Sequence, residues 1–218
     1  MSRETGSDPV ADVSTATSVG HVRLLFRAQQ AGVAALAGLA VIGVRPGLLV
    51  NSLLALAATG IPEAVHRKYG RPLGTVVTVW VSTAALLHAV GALGPYATIP
   101  FYDRIAHVVS ASLVAGVGYA IVAALDAYSP RVRFPSRFRA VFVVMFVLAV
   151  GVAWELLEFA VGGVSRWLLD EAVIVQYGLE DTVGDLVFDA LGAAVVAVVG
   201  TERFRGLVRV ILTWMGRE

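Results

Sequence analysis

The chain has 218 residues, of which 57% are hydrophobic and 15% are charged, and its net charge is +1. Soluble domains carry about 25% charged residues, so this composition predicts a membrane protein without room for a second globular domain. The low net charge excludes a general attraction to nucleic acid, and the absence of cysteine excludes disulfides, thiolate catalysis and cysteine-ligated zinc or iron–sulfur sites.

The first segment, residues 1–22, is polar and rich in Ser, Thr and Asp. No apolar core follows a basic start, so the segment does not have the pattern of a secretory signal peptide. Its composition is typical of disordered segments. We therefore expect a disordered cytoplasmic tail in front of a transmembrane bundle over residues 23–202.

Six stretches of this bundle approach the roughly 20 apolar residues that a membrane-spanning helix requires. They cover residues 28–44, 47–65, 73–94, 103–125, 140–162 and 182–200. The first two are short and are separated by the tight break Arg45-Pro46-Gly47, so they form either a helical hairpin or a re-entrant pair. We predict an all-α fold, a polytopic membrane helical bundle of about six transmembrane helices.

The distribution of basic residues predicts how this bundle is oriented, because Lys and Arg accumulate in cytoplasmic loops. All but three of the 17 Lys and Arg residues lie in the N-terminal segment, the second loop, the fourth loop and the C-terminal segment, which six spans place on one side. The exceptions are Arg45, Arg104 and Arg166. We therefore expect both termini in the cytoplasm and a multi-pass protein of the cell membrane, either plasma or inner.

The last segment, residues 203–218, alternates basic and apolar residues in the sequence FRGLVRVILTWM. It is long enough for an amphipathic helix at the membrane surface and short for a further span. We expect it to anchor the bundle to anionic lipid headgroups. Glu63 and His66, at the cytoplasmic end of the second span, are expected to extend into the interface in the same way.

Ionisable residues interrupt the most apolar segments, although each costs roughly 2.5–3.5 kcal/mol to insert at the centre of a membrane helix. The predicted topology places all of them in the extracytoplasmic third of the bundle. They are Asp103 and His107 on span four, Glu155 and Glu158 on span five, and Asp181, Asp185 and Asp189 on span six, with His88 on span three as a weaker member. Spacings of three and four residues put each set on one helical face.

Carboxylates combined with imidazole are ligands for Mg, Mn, Fe or Zn, and helical bundles hold metals in this manner. The candidate divalent metal ligands are Asp103, His107, Glu155, Glu158 and Asp185. Asp181 and Asp189 are the candidate catalytic residues, as an outer ligand or acid–base group. A metal-bound water would be the nucleophile, because no Ser or Cys dyad is evident in the sequence. No nucleotide-binding motif predicts an organic cofactor.

Other interpretations of these residues stay open. Without a cation, several of the carboxylates would hold protons, which suits a proton relay or proton- or cation-coupled transport. Transport also needs a polar path toward the cytoplasm. The polar side chains in that half of the predicted bundle are Asn51, Ser52, Thr59, Glu63, His66, Ser110 and Ser112. In a structural membrane subunit the acids would only join helices. Asp103 and Asp181 would also suit helix N-caps, and a lone His88 is more often a satisfied interior histidine.

Four short motifs occur in a fixed order: YDRIAH at residues 102–107, WELLE at 154–158, EDTVGD at 180–185 and DALGA at 189–193. Their order and spacing resemble the YjdF-like family of small inner-membrane proteins. They are similar, more distantly, to VanZ-like proteins, which share a D-[KR]-x-x-H opening, a glutamate in the next helix and a D-x-x-x-[ND]-x-x-G-[AT] ending. The resemblance covers about residues 70–200 and implies a multi-span membrane protein with a shared polar site.

Together these features predict an integral membrane protein whose intramembrane cation-binding site, made of acidic residues and histidine, faces outward. Two types of reaction fit such a site, hydrolysis and group transfer, each metal-dependent and acting on a lipid-linked or envelope substrate. The lipid bilayer is the expected partner.

Overall fold

A computed structural model describes residues 9–129, 131–199 and 201–216 of the chain, with side chains for 20–129, 131–197 and 202–216. The elements are α1 (Pro9–Ile42), α2 (Pro46–Tyr69), α3 (Thr75–Gly91), α4 (Pro95–Thr98), α5 (Tyr102–Tyr128), α6 (Ser136–Leu169), α7 (Leu179–Val199), a 3-10 turn (Thr201–Phe204) and α8 (Arg205–Trp214). Since no strand occurs among the described residues, the predicted all-α fold is confirmed.

Four helices are long and apolar enough to cross a membrane: α1 from Gly20 onward, α2, α5 and α6. A fifth candidate consists of α7 and α8 taken together, which meet at a bend of 90°. Helix α3 is apolar and shorter, with 17 residues. The described residues therefore form a multi-pass helical membrane protein with four or five candidate spans.

Two helices extend beyond the predicted boundaries. Helix α1 begins at Pro9, so the described part of the segment predicted to be a disordered tail is helical, while residues 1–8 lie outside the described residues. Proline is tolerated in the first turn of a helix, and neither glycine nor proline interrupts residues 10–19. Helix α6 continues past both ends of the predicted span 140–162, from Pro135 at its N-cap to Asp170 at its C-cap.

The loops that carry most basic residues meet at one end of the bundle. Leu73 before α3, Val143 in α6, and Phe204 and Val210 around the start of α8 share one buried hydrophobic cluster. The Phe204 ring lies directly against Gly116 of α5, where a Cβ would overlap it. Helix α8 therefore packs against protein on its buried side, in addition to the lipid contact that its sequence predicts, while Trp214 stays exposed.

The opposite end of the bundle is closed by the loop of residues 170–178, which folds back between α2 and α6. The side-chain amide of Asn51 donates a hydrogen bond to the Val173 carbonyl (2.8 Å), and the Val173 N–H donates to Ser165 Oγ (3.0 Å). The absence of a side chain at Gly162 admits the Ile174 carbonyl, since a Cβ there would lie 2.6 Å from that oxygen. The starts of α2 and α5, the end of α3 and part of α6 lie around a cavity that this loop also lines.

Candidate functional site

The imidazole of His107 on α5 lies between three aspartates. Its Nδ1 is 3.1 Å from Asp189 Oδ1, and its Nε2 is 3.8 Å from Asp103 Oδ1 and 3.9 Å from Asp185 Oδ2. The side chains of His107, Asp185 and Asp189 are buried, whereas that of Asp103 is 26% exposed. The structure thus brings together four of the site residues that the sequence predicts.

Close packing of α5 against α7 places these side chains within reach of one another. A Cβ on Gly192 would lie 2.7 Å from the Val108 carbonyl oxygen and 2.8 Å from Ala111 Cβ, so only glycine fits here. The single Ser112 hydroxyl proton is shared between the Val108 carbonyl (2.7 Å) and the Gly192 carbonyl (3.1 Å), which links the two backbones. Small residues allow such close contact between membrane helices.

Three ligand atoms, one each from Asp103, His107 and Asp185, lie within 4.8 Å of one another. Donor atoms that bind one zinc-sized ion at about 2.0–2.2 Å lie at most about 4.4 Å apart. The distances of 3.8 and 3.9 Å from His107 Nε2 to the two carboxylates fall within this limit. One imidazole nitrogen with two carboxylates is a donor set for borderline divalent cations.

Asp189 contacts the other nitrogen of His107, Nδ1, rather than the space between Nε2 and the two carboxylates. Histidines that bind metals usually donate their second N–H to a carboxylate, which fixes the tautomer and the orientation of the ring. Gly151 of α6 provides the room for this carboxylate, because a Cβ there would overlap Asp189 Oδ2. Asp189 therefore lies where a carboxylate that orients an imidazole ring would lie, and its acid–base role stays a prediction.

Glu155 of α6 lies beside the cluster with one of its two oxygens paired. Its Oε2 accepts a hydrogen bond from Thr182 Oγ1 (2.8 Å), which in turn accepts one from Gln176 Nε2 (2.8 Å). Its Oε1 is buried and has no hydrogen-bond partner among the described residues. Glu155 is close enough to Asp103 and Asp185 to interact with both electrostatically. A buried carboxylate oxygen without a partner is costly, and a bound cation would remove that cost.

Glu158 and Asp181 lie at the rim of the cluster, and both are partly exposed. Each interacts electrostatically with Asp103 but stands outside the three-ligand set. Neither Asp103 nor Asp181 is a helix N-cap, because α5 begins at Tyr102 after Phe101 and α7 begins at Leu179. The predicted ligands therefore divide into an inner group around His107 and a more accessible outer group.

Two cavities adjoin this cluster. The first, which we call the apolar cavity, has a volume of about 380 Å³, and Ala, Val and Leu side chains make up most of its lining. The second, the polar cavity, has a volume of about 260 Å³ and includes Arg45, Tyr96, Asp103, Glu158 and Glu171 in its lining. Both are lined by Asn51, His88 and Trp154, so the cavities adjoin there. Asp103 lines the polar cavity and His107 the apolar cavity.

A family model described as "Predicted membrane protein (DUF2238)" matches residues 25–206. The chain belongs to this family. The matched part of this DUF2238 protein contains every residue of the His107 cluster. The family description, a membrane protein, agrees with the several apolar helices of the structure, and the protein sits in a lipid bilayer. No curated protein and no solved structure matches the chain.

The DUF2238 chain also holds a polar contact that the sequence does not predict. His88 forms hydrogen bonds through both ring nitrogens, from Nδ1 to the Tyr96 hydroxyl (2.6 Å) and from Nε2 to Ser110 Oγ (3.0 Å). Its ring also packs against Trp154, with the ring centres 6.1 Å apart. Burial and, next, the nearby Asp103 raise the pKa of the Tyr96 phenol above its usual range, so this hydroxyl stays neutral. The Tyr96 hydroxyl, the His88 imidazole and the Ser110 hydroxyl therefore form a hydrogen-bonded chain of groups with exchangeable protons between the two cavities.

Arg45, Arg104 and Arg166 have different surroundings in this DUF2238 protein. Arg166 is exposed, whereas Arg45 lines the polar cavity and donates through Nη2 to the Leu93 carbonyl (3.2 Å). Arg104 stacks on Phe101 and Phe188, with its guanidinium carbon 4.9 and 5.5 Å from the ring centres. Arg45 therefore supplies positive charge to the wall of the polar cavity.

Proposed function

We propose that Asp103, His107 and Asp185 bind a divalent cation, such as Mg, Mn, Fe or Zn, within the helical bundle. The observation that carries this proposal is the placement of His107, whose Nε2 points toward two carboxylates while Asp189 contacts Nδ1. Glu155 would supply a further ligand through its unpaired Oε1. Glu158 and Asp181, at the rim, would bind the cation through water or act in proton transfer.

A cation held in this way supports a metal-dependent hydrolase or transferase. It would lower the pKa of a bound water and polarise the group under attack, which removes the need for a Ser or Cys nucleophile. Asp181 or Glu158 would transfer protons to and from the reacting group at the open side of the site. The polar cavity would admit the substrate, because Asp103 and Glu158 both line it.

The topology that goes with this proposal has six spans, both termini in the cytoplasm and a site that faces outward from the cell membrane. Helix α3, with 17 residues, is about 25 Å long, and α7, with 21 residues, is about 32 Å long, against a hydrocarbon thickness of about 30 Å. Each is therefore near the length that a separate crossing needs. The YjdF-like and, more distantly, VanZ-like motifs around the cluster agree with this arrangement.

Elemental analysis of purified protein tests the binding proposal. Wild type, grown with Mg, Mn, Fe and Zn supplied, is compared with the Glu155→Gln/Asp185→Asn double variant and with Glu63→Gln. Glu63 is a matched control because it is an exposed glutamate paired with Arg67 (2.7 Å) away from the site. Near-stoichiometric metal in wild type and Glu63→Gln, and its loss from a folded double variant, is the expected result. Equal metal content in all three proteins would refute the proposal.

Proton- or cation-coupled transport is the second candidate, and the hydrogen-bonded chain from Tyr96 through His88 to Ser110 favours it, because the chain links the two cavities. Most of the apolar cavity is lined by Ala, Val and Leu, and the groups that could contact an ion there are Asn51, His88, His107, Ser110 and Asp189. Flux measurements in proteoliposomes separate the candidates, since transport predicts a proton or cation flux that Tyr96→Phe reduces. A structural subunit would show neither flux nor metal, and its acid variants would lose stability.

A further inference from the structure

The proposed cation site borders both cavities. His107, which lines the apolar cavity, has its Nε2 3.8 Å from Oδ1 of Asp103, which lines the polar cavity. A ligand that reached both cavities would therefore pass beside the cation. Such a ligand must have one apolar part and one polar part, because the two linings differ in chemistry.

The apolar cavity suits a hydrocarbon chain. Its wall contains a group of small side chains, namely Ala55, Ala58, Ala84, Ala85 and Ala111, together with Leu and Val residues. Its volume of about 380 Å³ falls within the range of about 300–1,000 Å³ that is typical of small-molecule sites. Water needs two to four polar partners, and on this wall only six residues carry polar side-chain atoms, namely Asn51, His88, His107, Ser110, Trp154 and Asp189. The surrounding bilayer supplies hydrocarbon chains.

The polar cavity suits an anionic group only when a cation is present. Asp103, Glu158 and Glu171 line it and would repel an anion, whereas Arg45 would attract one. A divalent cation bound beside Asp103 would offset the negative charge of the carboxylates and add a second positive centre to that of Arg45. A phosphate group has enough oxygens to contact both centres, and arginine recognises phosphate through two parallel hydrogen bonds.

We infer that the substrate class is a phosphorylated lipid, whose phosphate lies in the polar cavity between the cation and Arg45 and whose hydrocarbon chain enters the apolar cavity past His88 and Trp154. This inference rests on the proposed function, because the cation is the element that makes the polar cavity attractive to phosphate. Phosphate capture therefore depends on the divalent cation, whereas capture of the chain alone does not.

Photo-crosslinking in phosphatidylcholine nanodiscs tests this inference. The probe is an alkyl phosphate with a diazirine in its chain, compared with the alcohol and the carboxylate of the same chain length. Removal of divalent cations is expected to lower capture of the phosphate probe at peptides of α3 and α5 that line the apolar cavity, and excess unlabelled alkyl phosphate to abolish it. Equal capture of phosphate, carboxylate and alcohol would overturn the choice of phosphate.

Two neighbouring alanines of α2 provide a matched pair of variants. Ala58 lines the apolar cavity, whereas Ala57 is exposed and is not part of its lining. Ala58→Phe is expected to block capture at the cavity peptides, while Ala57→Phe retains it, and both are expected to keep the metal content of wild type. Capture that persists in Ala58→Phe would overturn the placement of the chain.

Arg45→Gln tests the position of the phosphate. Loss of a charge-assisted hydrogen bond is expected to weaken capture of the phosphate probe about tenfold, without changing capture of the alcohol or the metal content. Unchanged phosphate capture would overturn the role of Arg45. Metal-loaded wild type that captures no phosphate probe would overturn this inference and leave the proposed function standing. Wild type that holds no metal would refute the proposed function and, with it, the position of the phosphate, so the two failures are distinguishable.

Discussion

Asp189 Oδ1 lies 3.1 Å from Nδ1 of His107, so the carboxylate contacts the ring nitrogen that is not directed at Asp103 and Asp185. This contact specifies which imidazole nitrogen is available to a cation. If the carboxylate accepts the Nδ1 proton, Nε2 is left with its lone pair toward the two remaining aspartates. In the proposed site, Asp103 and Asp185 would therefore be ligands and Asp189 would orient the ring.

Replacement of Asp189 tests this division of roles. Asp189→Ala removes the acceptor for the Nδ1 proton and is expected to weaken metal affinity about 10–100-fold, as other outer partners of metal-bound histidines do. Asp189→Asn keeps an oxygen that can accept this proton, so a smaller loss is expected. Competition with a chromogenic chelator measures both affinities. Complete loss of metal in Asp189→Asn with unchanged binding in Asp185→Asn would reverse the assignment.

The packing of α5 against α7 is tested by adding one methyl group at Gly192. A Cβ there would lie 2.7 Å from the Val108 carbonyl oxygen and 2.8 Å from Ala111 Cβ. Gly192→Ala is therefore expected to separate the two helices, to lower stability by about 1–3 kcal/mol and to weaken metal binding.

Gly163→Ala is the matched control, since nothing lies within 4 Å of a Cβ at this helical position. It is expected to leave stability unchanged or to raise it by about 0.5–1 kcal/mol, because alanine favours a helix more than glycine does. Thermal unfolding in detergent measures both variants. A Gly192→Ala protein as stable as Gly163→Ala would contradict the close approach of α5 and α7.

Thr182 connects the loop of residues 170–178 to Glu155, since its Oγ1 accepts from Gln176 and donates to Glu155 Oε2. Thr182→Val keeps the shape and leaves both carboxylate oxygens of Glu155 without a donor. We expect a loss of about 1–3 kcal/mol in the metal-free protein, which Thr182→Ser restores. Chemical unfolding with and without the cation measures the effect. Equal stability of the Val and Ser variants would show that this hydrogen bond contributes nothing.

The sequence could predict the part of the site that depends on spacing along a helix. Asp103 and His107 are four residues apart, as are Asp185 and Asp189, and the helical repeat alone places each pair on one face. The cost of ionisable groups among apolar residues then suggests that the two faces meet. The structure brings these four residues together around one imidazole.

The remaining features depend on contacts between distant parts of the chain. Tyr96 reaches His88 because the turn before α4 brings its ring against Gly91, and neither the hydrophobic pattern nor the charge pattern encodes that turn. Asn51 bonds to Val173 across 122 positions. The contact of Asp189 with Nδ1 could not be read from the sequence either, since it depends on how the His107 ring is turned.

Pulsed electron paramagnetic resonance of the Mn²⁺-loaded protein tests the central claim most directly, because it detects a nitrogen bound to the ion. In protein labelled with ¹⁵N only at its four histidines, a ¹⁵N coupling to the ion identifies a histidine ligand. We predict coupling to one histidine nitrogen in wild type and in His66→Gln, and its loss in His107→Gln. Coupling that persists in His107→Gln, or bound Mn²⁺ without any histidine coupling in wild type, would contradict a cation site built on His107.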